Sequence, residues 1–317
     1  MDDLFTLSQA KQEKIDTFIT RSRRDVPNFY EEGQCTIKYI PVENGKLRVF
    51  HHKPEKIKTI RPIVFFPGFG NTPWTWRHST NALHNRAEYY YIETREKKSS
   101  KMNRKRDTKF SIDRIAKDIG EVIKKLSLAE KDYVLMSASF GGGIVLHGLW
   151  KEYFHPGTTL VLDPFPKWTQ QRLLSKIFFS CTPPFLLSVL KYFLGHIVLS
   201  SMKNKIQRKR NMETVKGAEP WKWRKAVLQN VDFDMYPHLE EIKQDVILIH
   251  GPPDRYHPRE IYVNIAKKIP NCRFIFMDTK ESNREQLASA IMFEFAKQSG
   301  DANIPTFLQQ FEITEKI

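Results

Sequence analysis

The chain has 317 residues, 40% of them apolar and 12% aromatic, with 22 phenylalanines and 11 tyrosines. That composition excludes a disordered chain and suffices for the core of one α/β domain carrying an insertion. A formal net charge of +15 points to an anionic partner, either nucleic acid or a membrane surface, or else to solvated basic faces; three widely spaced cysteines (Cys35, Cys181 and Cys272) exclude a zinc site or a disulfide framework and fit a reducing cytoplasm.

The N-terminal stretch "MDDLFTLSQAKQEK" is polar and acidic and lacks the basic start and apolar run of a signal peptide. Next, "TIKYIPVENGKLRVFHH" reads as a hairpin around Asn44-Gly45, a pair favoured in tight turns. Its adjacent His51 and His52 face opposite sides of a strand and so make no metal pair. Short, wholly apolar runs follow at 62–66, 89–92, 133–136, 159–162, 246–249 and 274–277. Continuous apolar strands are what a sheet covered on both faces requires. Between them lie helical patterns at 111–126, 259–269 and 284–298. The first has a cap in Ser111 and a hydrophobic staple in Phe110 and Ile115. Strand and helix alternating in this way predict an α/β fold, a mostly parallel central sheet with helices on both faces.

One segment breaks the rhythm. Residues 165–231 contain no good strand but hold helical stretches, Pro183-Pro184, a basic cluster (Lys203, Lys205, Arg208, Lys209, Arg210) and Trp168, Trp221 and Trp223. They read as a helical lid inserted into a core made of 1–164 and 232–317. The most apolar stretch, 185–200, is short for a membrane span and contains Lys191 and His196. A greasy helix beside a basic cluster suits the surface of an anionic membrane, and it equally suits a lid whose apolar face covers the core. A second basic run, "EKKSSKMNRKR", occupies 96–106. No recognisable nucleic-acid-binding motif accompanies these charges, so nucleic acid ranks last among the anionic partners. The expected location is the cytoplasm, free or peripheral to a membrane.

The stretch "YVLMSASFGGGIVLHGLW" (133–150) is a strand, a turn of small residues and a helix. This is the pattern of a nucleophile elbow, in which a strained turn lifts a serine, here Ser139, above a sheet. Positions two before and two after the serine must be small; here they are Ser137 and Gly141. Small residues at such a junction can also serve helix packing or anion binding. Upstream, "VFFPGFGNTPWTW" (64–76) follows a predicted strand. Acyl transfer needs two amide N–H groups aimed at a developing oxyanion. Phe140, directly after the serine, and Phe69, within Gly68-Phe69-Gly70, can supply them. A plain Pro-Gly turn is the alternative.

Together these motifs resemble the α/β-hydrolase superfamily over about residues 45–298, with Pro67 where that family often has histidine. The resemblance implies that "DVILIHGPPDRYHP" carries the catalytic acid at Asp254, with Asp163 as a second candidate. It also implies a histidine after the last predicted strand, and there the sequence departs from the family. The position falls at Ser282 or Asn283, and no histidine occurs after His257. His257, in the loop past Asp254, is the leading substitute base; His78 and His196 are weaker candidates, while His147 and His250 read as structural. Two functions remain open. One is a serine hydrolase of an apolar acyl ester, with Ser139, Asp254 and His257 as its triad. The other is a non-catalytic binding or interaction module with a broken triad. Neither reading requires a cofactor or a metal.

Overall fold

The computed structural model describes residues 5–168, 172–200, 205–251, 258–280, 283–299 and 303–314. Helix α1 (Gln9–Ser22) precedes the hairpin β1 (Thr36–Val42) and β2 (Gly45–His52). Then come β3 (Ile63–Phe66), α2 (Arg77–Leu83), β4 (Tyr89–Ile92), β5 (Lys101–Met102), α3 (Ile112–Lys125), β6 (Val134–Ala138), α4 (Phe140–Trp150) and β7 (Thr158–Leu162). Four helices follow: α5 (Arg172–Cys181), α6 (Pro184–Ser200), α7 (Lys205–Lys216) and α8 (Pro220–Asn230). The chain ends with β8 (Val246–His250), α9 (Arg259–Lys268), β9 (Cys272–Phe276), α10 (Arg284–Ala296), α11 (Thr306–Gln309) and β10 (Glu312–Ile313).

The strands form one mixed sheet in the order β1-β2-β4-β3-β6-β7-β8-β9-β10, with β5 paired to β2. β4, β3, β6, β7, β8 and β9 run parallel, and the antiparallel pairs lie at its ends. Alternation within each apolar run feeds two separate cores. Val64, Phe66, Leu135, Val161, Val246 and Leu248 face one side, with α3, α4 and α9. Ile63, Phe65, Met136, Leu160, Ile247 and Ile249 face the other, with α1 and α10. This two-sided burial is why the central strands contain no polar alternation.

Two local expectations shift. The hairpin loop is Glu43-Asn44, because Val42 pairs with Gly45, and Asn44 takes the positive φ of 60°. Gly45 is needed for a different reason: a Cβ there would sit 2.4 Å from the Lys101 carbonyl oxygen of β5. At the start of α3, Ser111 Oγ accepts from the Arg114 amide as expected. The ring of Phe110, however, packs edge-on against Trp221, 5.5 Å away, instead of stapling onto Ile115.

Helix α8 is fastened to the core by buried polar contacts. Asn230 accepts from the Ile112 amide at 2.7 Å and donates to the Phe110 carbonyl at 2.8 Å. Lys222 is buried and donates to the carbonyls of Lys97 (2.8 Å) and Ser100 (2.6 Å) while pairing with Glu219. The second basic run is therefore not a uniform solvated face. Its first lysine, Lys97, is only 3% exposed.

Candidate active site

Ser139 lies at the junction of β6 and α4 with φ 55° and ψ −126°. A non-glycine residue at positive φ is costly and persists only where the surroundings over-determine it. The surroundings here are hydrogen-bonded. The Ser139 amide donates to the Leu162 carbonyl (3.0 Å), and its own carbonyl accepts from the Phe165 amide (3.0 Å). Residues 133–138 and 140–149 are buried, while Ser139 alone in this run keeps partial exposure.

The S-x-S-x-G spacing has a physical explanation. Ser137 Oγ donates to the Phe66 carbonyl at 2.6 Å, tying β6 to the end of β3. A Cβ on Gly141 would lie 2.1 Å from that same oxygen. The hydroxyl at 137 thus fills the space beneath the turn, and Gly141 must stay bare to leave room for it.

The loop after β3 lies against the elbow: a Cβ on Gly68 would be 3.3 Å from Ser139 Cβ. The Gly68 carbonyl is held by Lys97 Nζ and by the Asn71 amide. A trans peptide points its C=O and N–H in opposite directions, so this anchoring fixes the direction of the Phe69 N–H. That amide donates to no acceptor among the described residues. Phe140 is the first residue of α4, where an amide has no partner within its own helix. Sequence inspection missed Lys97, which sits in a run of charges that carries no pattern of burial.

Aromatic rings crowd the same place. Phe69 and Phe140 meet edge-on at 5.4 Å, and Trp168 stands 6.4 and 6.3 Å from them. Trp223, from α8, reaches Phe69 at 4.9 Å. The segment between β7 and β8 therefore supplies two indole rings to this aromatic cluster around Phe69 and Phe140.

Asp254, His257 and Ser282 lie outside the described residues. Asn283 stands at the N-cap position of α10 without a side-chain capping bond, and its side chain faces Arg23 (3.2 Å) and Thr279 (3.5 Å). Asp163 stands at the end of β7, next to the elbow, with φ 45°. Its carboxylate is buried and occupied. Oδ1 accepts from His250 Nδ1 at 2.6 Å, and Oδ2 accepts from Arg284 Nε at 2.9 Å and from a second guanidinium nitrogen. An ionised carboxylate only accepts, so this contact calls for the His250 tautomer with a proton on Nδ1. The His250 ring is stacked on Tyr262 at 4.4 Å, and its buried Nε2 has no hydrogen-bond partner among the described residues.

The remaining histidines are engaged elsewhere or exposed. His147 faces Asp113, His51 pairs with Glu88, and His52 stacks on His84. His196 is exposed on α6. Burial, reinforced by Arg77, Arg210 and Arg23, pushes the His78 imidazole down to about 4. Among the described residues no imidazole hydrogen-bonds to Ser139, and no cluster of His, Cys, Asp and Glu could hold a metal ion. A groove of about 750 Å³ between α1 and α10, lined by Arg21, Arg86, Phe293 and Phe307 among others, includes no residue of the elbow or the oxyanion loop.

No family model and no curated protein matches the sequence. Solved structures do match in three dimensions. A hydrolase from Pseudomonas aeruginosa aligns with a TM-score of 0.62 at 12% identity, over 78% of this chain and 91% of that one. An esterase from Exiguobacterium antarcticum aligns at 0.60 and 18% identity, over 76% and 90%. An enol-lactonase from Burkholderia xenovorans aligns at 0.61 and 12% identity, over 76% and 91%. At such identities the likeness is one of fold.

Proposed function

This chain has the α/β-hydrolase fold, and on that premise we propose that it is a serine hydrolase of apolar acyl esters with Ser139 as nucleophile. The observation that carries the proposal is the conformation of Ser139. A strained, partly exposed serine is held at the end of a central strand by two buried strands and an obligate glycine.

In the proposed reaction Ser139 Oγ attacks the ester carbonyl carbon and the carbonyl oxygen becomes an oxyanion. The amides of Phe69 and Phe140 donate to that oxyanion, and the Lys97 anchor on Gly68 keeps the Phe69 amide in place. A base takes the serine proton and returns it to the leaving alcohol; water then repeats the sequence on the acyl-enzyme. The base falls to His257, oriented by Asp254, since no described imidazole hydrogen-bonds to Ser139. Phe69, Phe140, Trp168 and Trp223 favour an apolar acyl group. The helical insertion acts as a lid that brings the two tryptophans.

The buried Asp163–Arg284 contact favours a second reading. A guanidinium occupies the carboxylate at the end of β7, beside the elbow, as suits a scaffold kept for binding after the base was lost. A serine-directed fluorophosphonate probe separates the two. Hydrolysis requires labelling that Ser139→Ala abolishes and His257→Ala strongly slows. Equal labelling of wild type and Ser139→Ala would leave only the binding reading.

A further inference from the structure

Helix α6 is apolar on both faces. Its inner side chains Leu187 and Leu199 are buried where the helix packs beside α7 and α8. Its outer side chains Phe185, Leu186, Val189, Tyr192 and Phe193 form one stripe at helical spacing and face solvent, with Phe185 75% and Val189 70% exposed. Leu173, Leu174 and Ile177 of α5 are exposed as well, Leu173 at 69%. A helix apolar all round belongs in a core or in lipid, and a soluble surface rarely leaves so many large apolar side chains together. No helix among the described residues is long and apolar enough to cross a membrane.

The charges around this face are mostly of one sign, although Asp232 pairs with both Arg172 (2.5 Å) and Lys176 (3.2 Å) of α5. Between 172 and 216 the sequence holds nine lysines and arginines against a single acidic residue, Glu213. Arg172 and Lys176 lie on α5 itself, and exposed Lys205, Arg208 and Lys209 lie on α7. Arg208 donates to the Ser200 carbonyl at the end of α6, so the basic rim adjoins the apolar stripe.

We propose that the outer face of α5 and α6, rimmed by the basic side of α7, docks onto the surface of an anionic lipid bilayer. Phe185, Val189, Tyr192, Phe193 and the α5 leucines enter the boundary between headgroups and acyl chains, and the lysines and arginines meet headgroup phosphates. Charge complementarity selects this occupant. A second copy in a two-fold contact would set the same basic rim against itself. Nucleic acid would meet the charges but has no use for Leu173, Leu174, Ile177 and Val189. The inference concerns the insertion alone and does not depend on Ser139 being catalytic.

The test is co-sedimentation of the full chain with phosphatidylcholine vesicles, with and without phosphatidylserine, at low and at physiological salt. The chain is expected to bind the anionic vesicles and to be partly released by salt, because exposed charges are screened over about 8 Å at physiological ionic strength. Lys205→Glu, Arg208→Glu and Lys209→Glu combined should weaken binding by about a hundredfold, at roughly fivefold per basic residue. Phe185→Ser, Val189→Ser and Phe193→Ser combined should weaken it by about tenfold or more, with the unfolding midpoint unchanged since all three are exposed. Failure of the wild type to sediment with anionic vesicles at low salt would overturn the proposal. So would an apolar variant that binds as tightly as wild type, or light scattering that shows a wild-type dimer converted to monomer by the same three substitutions.

Discussion

Arg284 Nε donates to Oδ2 of Asp163 at 2.9 Å on one side while His250 Nδ1 donates to Oδ1 at 2.6 Å on the other. The carboxylate is 1% exposed and also accepts from the Gly251 amide at 3.4 Å, so its charge depends on donors of the protein, with Arg284 the cation among these. Removing one partner of a buried ion pair leaves an uncompensated charge, which costs about 3–5 kcal/mol. Arg284→Met should therefore lower the unfolding free energy by roughly 3 kcal/mol in urea at neutral pH. Adding Asp163→Asn to it should recover part of that loss. A single-variant cost within about 0.5 kcal/mol, the usual range for surface substitutions, would show that the contact is not holding the junction of β7 and α10.

How much of this was legible in the sequence depends on whether a residue's role is local or set by distant partners. The elbow was legible because Ser137, Ser139 and Gly141 lie within five residues and their sizes are dictated by one turn. The sheet was legible because burial on both faces leaves an uninterrupted apolar run. The pairing of Asp163 with His250 was not, since it arises from strands 87 residues apart whose register no local pattern encodes. Lys97 lies in a run of charges, and nothing around Lys222 in the sequence marks it for burial. They are buried because carbonyls distant in sequence meet their ammonium groups, that of Gly68 for Lys97 and those of Lys97 and Ser100 for Lys222. The α6 helix carried two readings because apolar residues lie all round it, and only the fold shows which are buried (Leu187, Leu199) and which face solvent (Phe185, Val189, Phe193).

The packing under the elbow can be tested by a cycle. Gly141→Ala puts a methyl group 2.1 Å from Ser137 Oγ and 3.2 Å from the Pro67 carbonyl oxygen. Overpacking of this kind costs about 1–3 kcal/mol. Ser137→Gly alone should cost about 1 kcal/mol, because the Phe66 carbonyl loses its donor. The double variant should be more stable than the sum of the two losses predicts, since the hydroxyl that clashes is gone. Strict additivity in denaturant unfolding would mean that the two positions do not share that space.

Acid should weaken the fold through two histidines. Burial is the main cause that pushes both His78 and His84 down from 6.5 to about 4. Between those values the unfolded chain binds a proton that the folded chain refuses, so stability is intact above about pH 6.5 and falls as pH drops toward 4. By surface area His78 is exposed, so solvent screening takes most of its share and the loss falls mainly on buried His84, at roughly 1 kcal/mol between pH 7 and 5. Urea unfolding at the two pH values should show a smaller difference for His84→Gln, and to a lesser extent for His78→Gln, than for wild type. An unchanged difference in both variants would mean that these imidazoles are protonated as readily folded as unfolded.

The strain at Ser139 makes a prediction whose sign runs against the ordinary rule. Glycine normally destabilises relative to alanine by about 0.4–1 kcal/mol, because the unfolded chain gains freedom. At φ 55° and ψ −126° the balance reverses. Alanine keeps the Cβ that makes this conformation costly, whereas glycine adopts it without penalty, and such strain is typically about 1–3 kcal/mol. Both variants lack the hydroxyl, so the comparison isolates the backbone. Ser139→Gly should be more stable than Ser139→Ala by about 1 kcal/mol in urea unfolding, and neither should react with a fluorophosphonate. The crystal structure of Ser139→Ala should retain the positive φ, held by the Leu162 carbonyl and the Phe165 amide. If alanine proves the more stable of the two, the turn is relaxed in solution. The conformation of Ser139 would then give no reason to expect a nucleophile there, and the hydrolase reading would lose its main support.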